Sequence, residues 1–265
     1  MEPDQTLAAA KAALTTTAER FAELLEGADV SVAIPGSDWT VRDAAFHLAG
    51  GNLRYRALAN GAVSPIETLD KAHLDARARG LVTSDGEHDP KVLAAQIRSS
   101  LARYLAVSDT VAADQLIHWH AGLRPTLAGL VCFSLGEYLL HGYDVATALD
   151  FPWPIDSQHA ALVVEAYRIF QASTFSPAAA DGLEATYAVQ VPGNDPYRVR
   201  IAASSYEEVT EPPGVDCVIA ADPVTALLVR AGRLSQWPAI ALGRLTFSGA
   251  RPEIGPRFHD LFVFP

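Results

Sequence analysis

The chain has 265 residues, 49% of them hydrophobic, and a mean hydropathy of +0.12. That is enough chain for one large core or two modest ones, and too apolar a composition for a disordered protein. A net charge of −11 and a pI near 5.1 argue against nucleic acid as a partner, because phosphate binding needs a basic face.

Residues 5–26 are rich in alanine and leucine at helical spacing and end near Gly27. The opening MEPDQTLAAAKAALTTTAERF lacks a basic segment followed by an apolar run, so no signal peptide is expected. No window approaches the ~18 uncharged apolar residues of a membrane span. After the turn AIPGSD, Thr40 and Asp43 form a helix start, a hydroxyl cap with an acidic first turn, for the stretch WTVRDAAFHLAGGNLRYRALANG. Residues 62–90 are mixed and polar, with TSDGEHDP as a loop. A third helix is expected from Pro90 to Val107, then an extended piece QLIHWHAG. Pro125 opens a fourth helix to Leu149, which DFPWPID closes, and a further helix spans Ser157 to Ser173.

After STFSPAAADG the pattern changes. EATYAVQV and YRVRIAAS alternate as strands around the turn PGNDP. VDCVIAADPVTALLVRAG reads as an apolar strand and a helix that Asp222 and Pro223 initiate. GRLTFSG is a further strand and PEIGPRFHDLF a short closing helix. The expected fold class is therefore two-domain α+β, with a helical domain over residues 1–175 and a small α+β domain over 176–265. Cys132 and Cys217 lie far apart in apolar surroundings without C-x-x-C spacing, as reduced core residues of a cytoplasmic protein do.

The chemistry concentrates in GEYLLHGYD, residues 136–144, where ionisable groups interrupt an apolar helix. Positions four apart on a helix differ by about 40° of azimuth and positions seven apart by about 20°, so Glu137, His141 and Asp144 share one face. One helix supplies at most part of a metal site, and a facing helix must supply the rest. His47 in the second helix is the candidate. Gly51 and Arg54 follow on its face, the glycine leaving open space and the arginine a cation suited to a carboxylate. Two imidazoles and a carboxylate form a set found at catalytic zinc sites, with a position left for water or substrate. Asp144 then serves as a support for an imidazole. A Glu and a His four apart can equally hydrogen-bond each other, and His47 can be a satisfied half-buried residue, so spacing leaves both readings open. In HWH, His118 and His120 point to one side of an extended segment, as wall residues or structural ones. There is no G-x-S-x-G, Walker A or G-x-G-x-x-G motif.

SDWTVRDAAFHLAGGN resembles the W-T-V-x-D-x-x-x-H-L segment of DinB-like metal-binding four-helix bundles. GEYLLHGYDVATALDFPWPI is similar to the E-x3-H-G-[YW]-D-x-A-x-A-L segment of their actinobacterial branch, the mycothiol-dependent maleylpyruvate isomerase family. DPVTALLVRAGRLSQWPAIALGRLTFSGARP resembles that family's small, sterol-carrier-like second domain. The resemblance implies His47, Glu137 and His141 as ligands of a divalent metal, usually zinc. It also implies mycothiol as a thiol cosubstrate and an actinobacterial cytoplasm as the location.

The function expected on this basis is a metal- and mycothiol-dependent enzyme, a cis–trans isomerase or an S-transferase. Its thiolate would attack an electrophilic small molecule. Arg54 would orient a substrate carboxylate, Asp144 the ligand shell, and Trp119 and His120 would stand near the substrate. Nucleic acid and membrane are not expected as partners. Two alternatives use the same residues: a metal-dependent hydrolase of a small molecule, and a non-catalytic small-molecule or lipid carrier with a structural metal.

Overall fold

The structure, a computed structural model, describes residues 1–81, 86–210 and 214–263. It divides into two compact units, Met1–Ile155 and Asp156–Pro265. The first unit carries α1 (Pro3–Glu26), α2 (Val41–Ala59), α3 (Lys71–Leu81), α4 (Pro90–Ser108) and α5 (Leu127–Ala148). Helix α1 packs on α4 and α5, and α2 packs on the same two helices, which closes a four-helix bundle. On α1 the buried positions Ala10, Ala13, Leu14, Thr17, Ala18, Phe21, Ala22 and Leu25 recur every three or four residues and form one stripe. Helix α5 is apolar nearly all round, and most of its residues are buried accordingly.

Two local features set the helices that matter for function. Thr40 and Asp43 form a complete capping box: Asp43 N–H donates to Thr40 Oγ1 at 3.3 Å and Thr40 N–H to Asp43 Oδ2 at 2.9 Å. In the core, the buried Asn52 donates from Nδ2 to Ser100 Oγ at 3.0 Å and to Tyr138 Oη at 2.8 Å. That bond set ties α2 to α4 and α5, and a buried amide fixes register because misalignment would leave it unpaired.

The second unit begins with α6 (Ser157–Ala166), a 3₁₀ turn over Tyr167–Phe170 and α7 (Gln171–Thr174). Five strands follow: β1 (Ala185–Gln190), β2 (Tyr197–Ala202), β3 (Ser205–Glu208), β4 (Cys217–Ala221) and, later in the chain, β5 (Leu245–Ser248). Between β4 and β5 lie α8 (Pro223–Arg230), capped by Asp222, and α9 (Gln236–Ala241); α10 (Arg257–Asp260) ends the series. The sheet order is β3-β2-β1-β4-β5, with β1 and β4 parallel and the other pairs antiparallel. The β1–β2 hairpin turns at Gly193, whose φ of 90° suits glycine.

The division falls at Ile155 instead of near 175, because α6 packs against α8 and so belongs to the second unit. Helix α3 occupies part of the stretch expected to be irregular, and residues 83–85 of TSDGEHDP lie outside the described residues. Helix α5 starts one residue after Thr126, whose side chain accepts Gly129 N–H. Pro125 lies before this cap, in the extended segment. Both cysteines are buried and free. Among the described residues no helix is long and apolar enough to cross a membrane.

Candidate metal centre

Helix α2 brings His47 against Glu137 and His141 of α5, and one ligand atom from each lies within 4.8 Å of the other two. His47 Nε2 is 2.9 Å from Glu137 Oε2, and His141 Nε2 is 3.5 Å from the same oxygen. The donor set is two imidazoles and one carboxylate, spaced closely enough for a single small cation, and this fits a divalent metal of the zinc type. All three side chains are half-buried, so the site is shielded without being sealed.

Asp144 Oδ2 lies 3.4 Å from His141 Nδ1, on the ring edge opposite the one that faces Glu137. It therefore orients the imidazole and stands outside the ligand cluster. Burial opposes charge on Glu137, but bonds from His141 and His47 outweigh it and hold the carboxyl well below its usual range. Burial likewise disfavours the His141 cation, but Asp144 and Glu137 raise its pKa to about 9. For His47 burial wins, and its pKa falls despite the Glu137 bond. In the metal-free protein the centre is thus an ion pair of Glu137 with protonated His141, beside a neutral His47.

Trp39 covers both imidazoles, a role that sequence spacing did not assign. Its ring centroid is 5.0 Å from that of His47 and 5.5 Å from that of His141, stacked on the latter at 26°. The signal was its place directly before the Thr40 cap, which aims the preceding residue at the start of α2.

Arg54 folds back along α2, so that its guanidinium lies 3.3 Å from where a Cβ on Gly50 would stand and 3.7 Å from one on Gly51. The space expected to be open beside Gly51 is thus filled by the arginine head itself. The charge of Arg54 acts on both His47 and His120. Trp119 is buried, stacked on His120 at 17° and tilted at 55° against Phe133 of α5. His120 is half-buried, whereas His118 is exposed and lines a separate cavity of about 510 Å³ near the C-terminus of α2. The two histidines of HWH therefore part company, because a 3₁₀ turn begins at His120.

These features define a helical bundle with three residues that could hold a metal ion, followed by an α+β unit. Residues 11–146, just over half of the chain, match the mycothiol maleylpyruvate isomerase N-terminal domain, and the chain belongs to the mycothiol-dependent maleylpyruvate isomerase family. The crystal structure of a mycothiol-dependent maleylpyruvate isomerase is similar to it at 16% identity and a TM-score of 0.53, over 94% of this chain and 93% of that one. A mutant of that enzyme is similar at 15% identity and a TM-score of 0.55, with the same coverage. At these identities the likeness is one of fold. Among curated proteins none matches the chain by sequence.

Proposed function

We propose that this protein is a divalent-metal- and mycothiol-dependent enzyme acting on an electrophilic small molecule. His47, Glu137 and His141 are its metal ligands, and zinc suits them best. The observation that carries the reading is the convergence of these three donors, from two helices tied through a buried amide, in a chain of this family. When bound, the metal supplies a Lewis acid that favours the thiolate form of the mycothiol sulfur at neutral pH.

The chain's own residues do the rest. Glu137 contributes the negative charge of the ligand set, and Asp144 holds the His141 ring in position by its Nδ1 edge. Trp39 screens the imidazoles from water. Arg54 draws an anionic substrate group to the same side of the bundle. Both protein thiols are buried, and burial pushes Cys132 up to about 12, which favours a soluble thiol as the nucleophile. For a cis-enedione acid, the thiolate forms a C–S bond and the alkene electrons move onto the carbonyl. Rotation about the new single bond and elimination of the thiolate then give the trans isomer. With another leaving group the same addition ends in S-transfer. The location consistent with a low-molecular-weight thiol and reduced cysteines is the cytoplasm.

The test is metal analysis of the purified protein with calorimetric titration of mycothiol. Metal-dependent binding of mycothiol is expected, and His141→Ala should lose the metal and any thiol-dependent turnover together. Metal-loaded protein that does not bind mycothiol would rule out the thiol chemistry and leave a hydrolase.

A further inference from the structure

The segments either side of His120 form a short β-ribbon in the first unit. Leu116 and Thr126 make an antiparallel bridge, with Leu127 N–H donating to Gln115 O at 2.9 Å and Ile117 N–H to Pro125 O at 2.8 Å. Trp119 N–H donates to Leu123 O at 3.0 Å, so the same register continues to the turn, where Ala121 (φ 53°) and Gly122 (φ 73°) reverse the chain. One bond of the intervening pair is missing because Pro125 has no N–H. This register sets His118 directly opposite Arg124 as a non-hydrogen-bonded pair, the kind in which facing side chains stand closest.

Alternation puts the two on one face. Leu116, His118 and Arg124 are exposed, whereas Ile117 and Trp119 on the other face are buried. Neither the His118 imidazole nor the Arg124 guanidinium has a hydrogen-bond or ion-pair partner among the described residues. Residues 64–66 pin the ribbon: Ser64 N–H donates to His118 O at 3.1 Å and Ala121 N–H to Ile66 O at 2.8 Å, while the Ser64 hydroxyl lies 2.6 Å from His120 Nδ1.

His118 and Arg124 both line the cavity of about 510 Å³, a size within the ~300–1,000 Å³ of small-molecule sites. Its apolar wall comes from the buried Leu58, Ala59 and Ile117 and from Leu116, which is 47% exposed and so free to be covered by a ligand. No aspartate or glutamate is among the described residues that line it, in a chain of net charge −11. The cavity is not the metal centre: Leu58 lies about three turns beyond His47 on α2, about 16 Å along the helix axis.

We propose that the His118–Arg124 pair and this cavity form a second binding site, for an amphiphilic organic anion that takes no part in the chemistry of the metal centre. The guanidinium and an imidazole N–H, side by side on one ribbon face, supply the donors for a carboxylate or similar head group. The apolar wall takes an aliphatic body, and covering Leu116 adds to the affinity. Where both basic groups are charged they repel, as like charges directly opposite do, and a bound anion relieves this. The site is independent of the proposed function.

The test titrates octanoate by calorimetry into full-length protein, first chelator-treated and then zinc-loaded, with octylammonium and acetate as controls. Octanoate should bind the chelator-treated protein, and zinc should leave that affinity unchanged. Octylammonium and acetate should bind at least about tenfold more weakly. Arg124→Gln, an exposed change, should weaken octanoate about tenfold with Tm unaltered, and His118→Leu should weaken it by a smaller factor. Ala112→Trp fills the cavity and should abolish binding, whereas His141→Ala should not affect it. No octanoate binding, binding that requires zinc or is lost in His141→Ala, equal affinity in Arg124→Gln, or octylammonium binding as tightly as octanoate would overturn the proposal.

Discussion

The glycine in HGYD gives a sharp test of how α5 is held. A Cβ on Gly142 would fall 2.1 Å from Trp153 Cζ2, 2.3 Å from Cε2 and 2.8 Å from Nε1. Carbon atoms in contact need about 3.5 Å, so Gly142→Ala forces the indole back by roughly 1.4 Å. The ring cannot retreat without cost. Its Nε1 donates to Leu139 O at 3.1 Å, the Arg20 guanidinium lies 4.1 Å from its centroid, and Phe21 meets it edge-on. Overpacking costs about 1–3 kcal/mol and the lost hydrogen bond about 1 kcal/mol more. Alanine's helix propensity returns about 1 kcal/mol. A net loss of about 2 kcal/mol is expected, which lowers Tm by about 4–8 °C for a unit of this size. Thermal unfolding of the metal-free variant measures it. Gly27→Ala is the control, since a Cβ there meets nothing within 4 Å and φ is −105°. A Gly142→Ala protein as stable as the unaltered one, or more so, would refute the packing argument.

The metal-free centre has its own pH signature. Burial opposes it, but Asp144 and Glu137 raise His141 from 6.5 to about 9, so this group stabilises the fold fully below 6.5 and loses that contribution as pH rises to 9. Chelator-treated protein should therefore lose Tm between pH 6.5 and 9, and His141→Phe should flatten that slope; a rising Tm would show the sign to be wrong. Asp144→Asn should weaken metal affinity about 10–100-fold with the fold intact, as competition with a chromogenic chelator would read. Asn52→Leu leaves the buried Tyr138 hydroxyl without its amide partner, and urea unfolding should show a loss of about 1–3 kcal/mol. Thr40→Ala removes half of the capping box and should cost about 1 kcal/mol, with Thr40→Ser close to neutral in the same assay.

The bundle was legible because its signals are local. Helical periodicity, the Thr40–Asp43 box and the proline and aspartate starts each act within one or two turns of chain. His47, Glu137 and His141 could be nominated because ionisable groups stand out on apolar faces. Their approach across 90 residues is a tertiary fact that no spacing contains. Helix α3 was missed because KAHLDARARGL has almost no apolar stripe to betray it. The first boundary was placed too late because α6 has the same helical texture as the bundle, and only its packing on α8 tells them apart. Gly51 was read as space because a sequence does not say where a neighbouring arginine lies. Ser64 escaped notice for a similar reason, since its pairing with His120 depends on two irregular segments meeting side by side.

The three residues that could hold a metal and the Ser64–His120 pair sit on different kinds of backbone. The former stand on long helices cross-tied by Asn52, whereas Ser64 and His120 stand on irregular segments joined by a few main-chain bonds. The segments near residues 64–66 and 118–122 can thus change while the bundle, and the ion it would hold, stay as they are. Selection can act on the two independently: under the proposed function, one inherited centre can be kept while about ten residues of loop are rewritten around it.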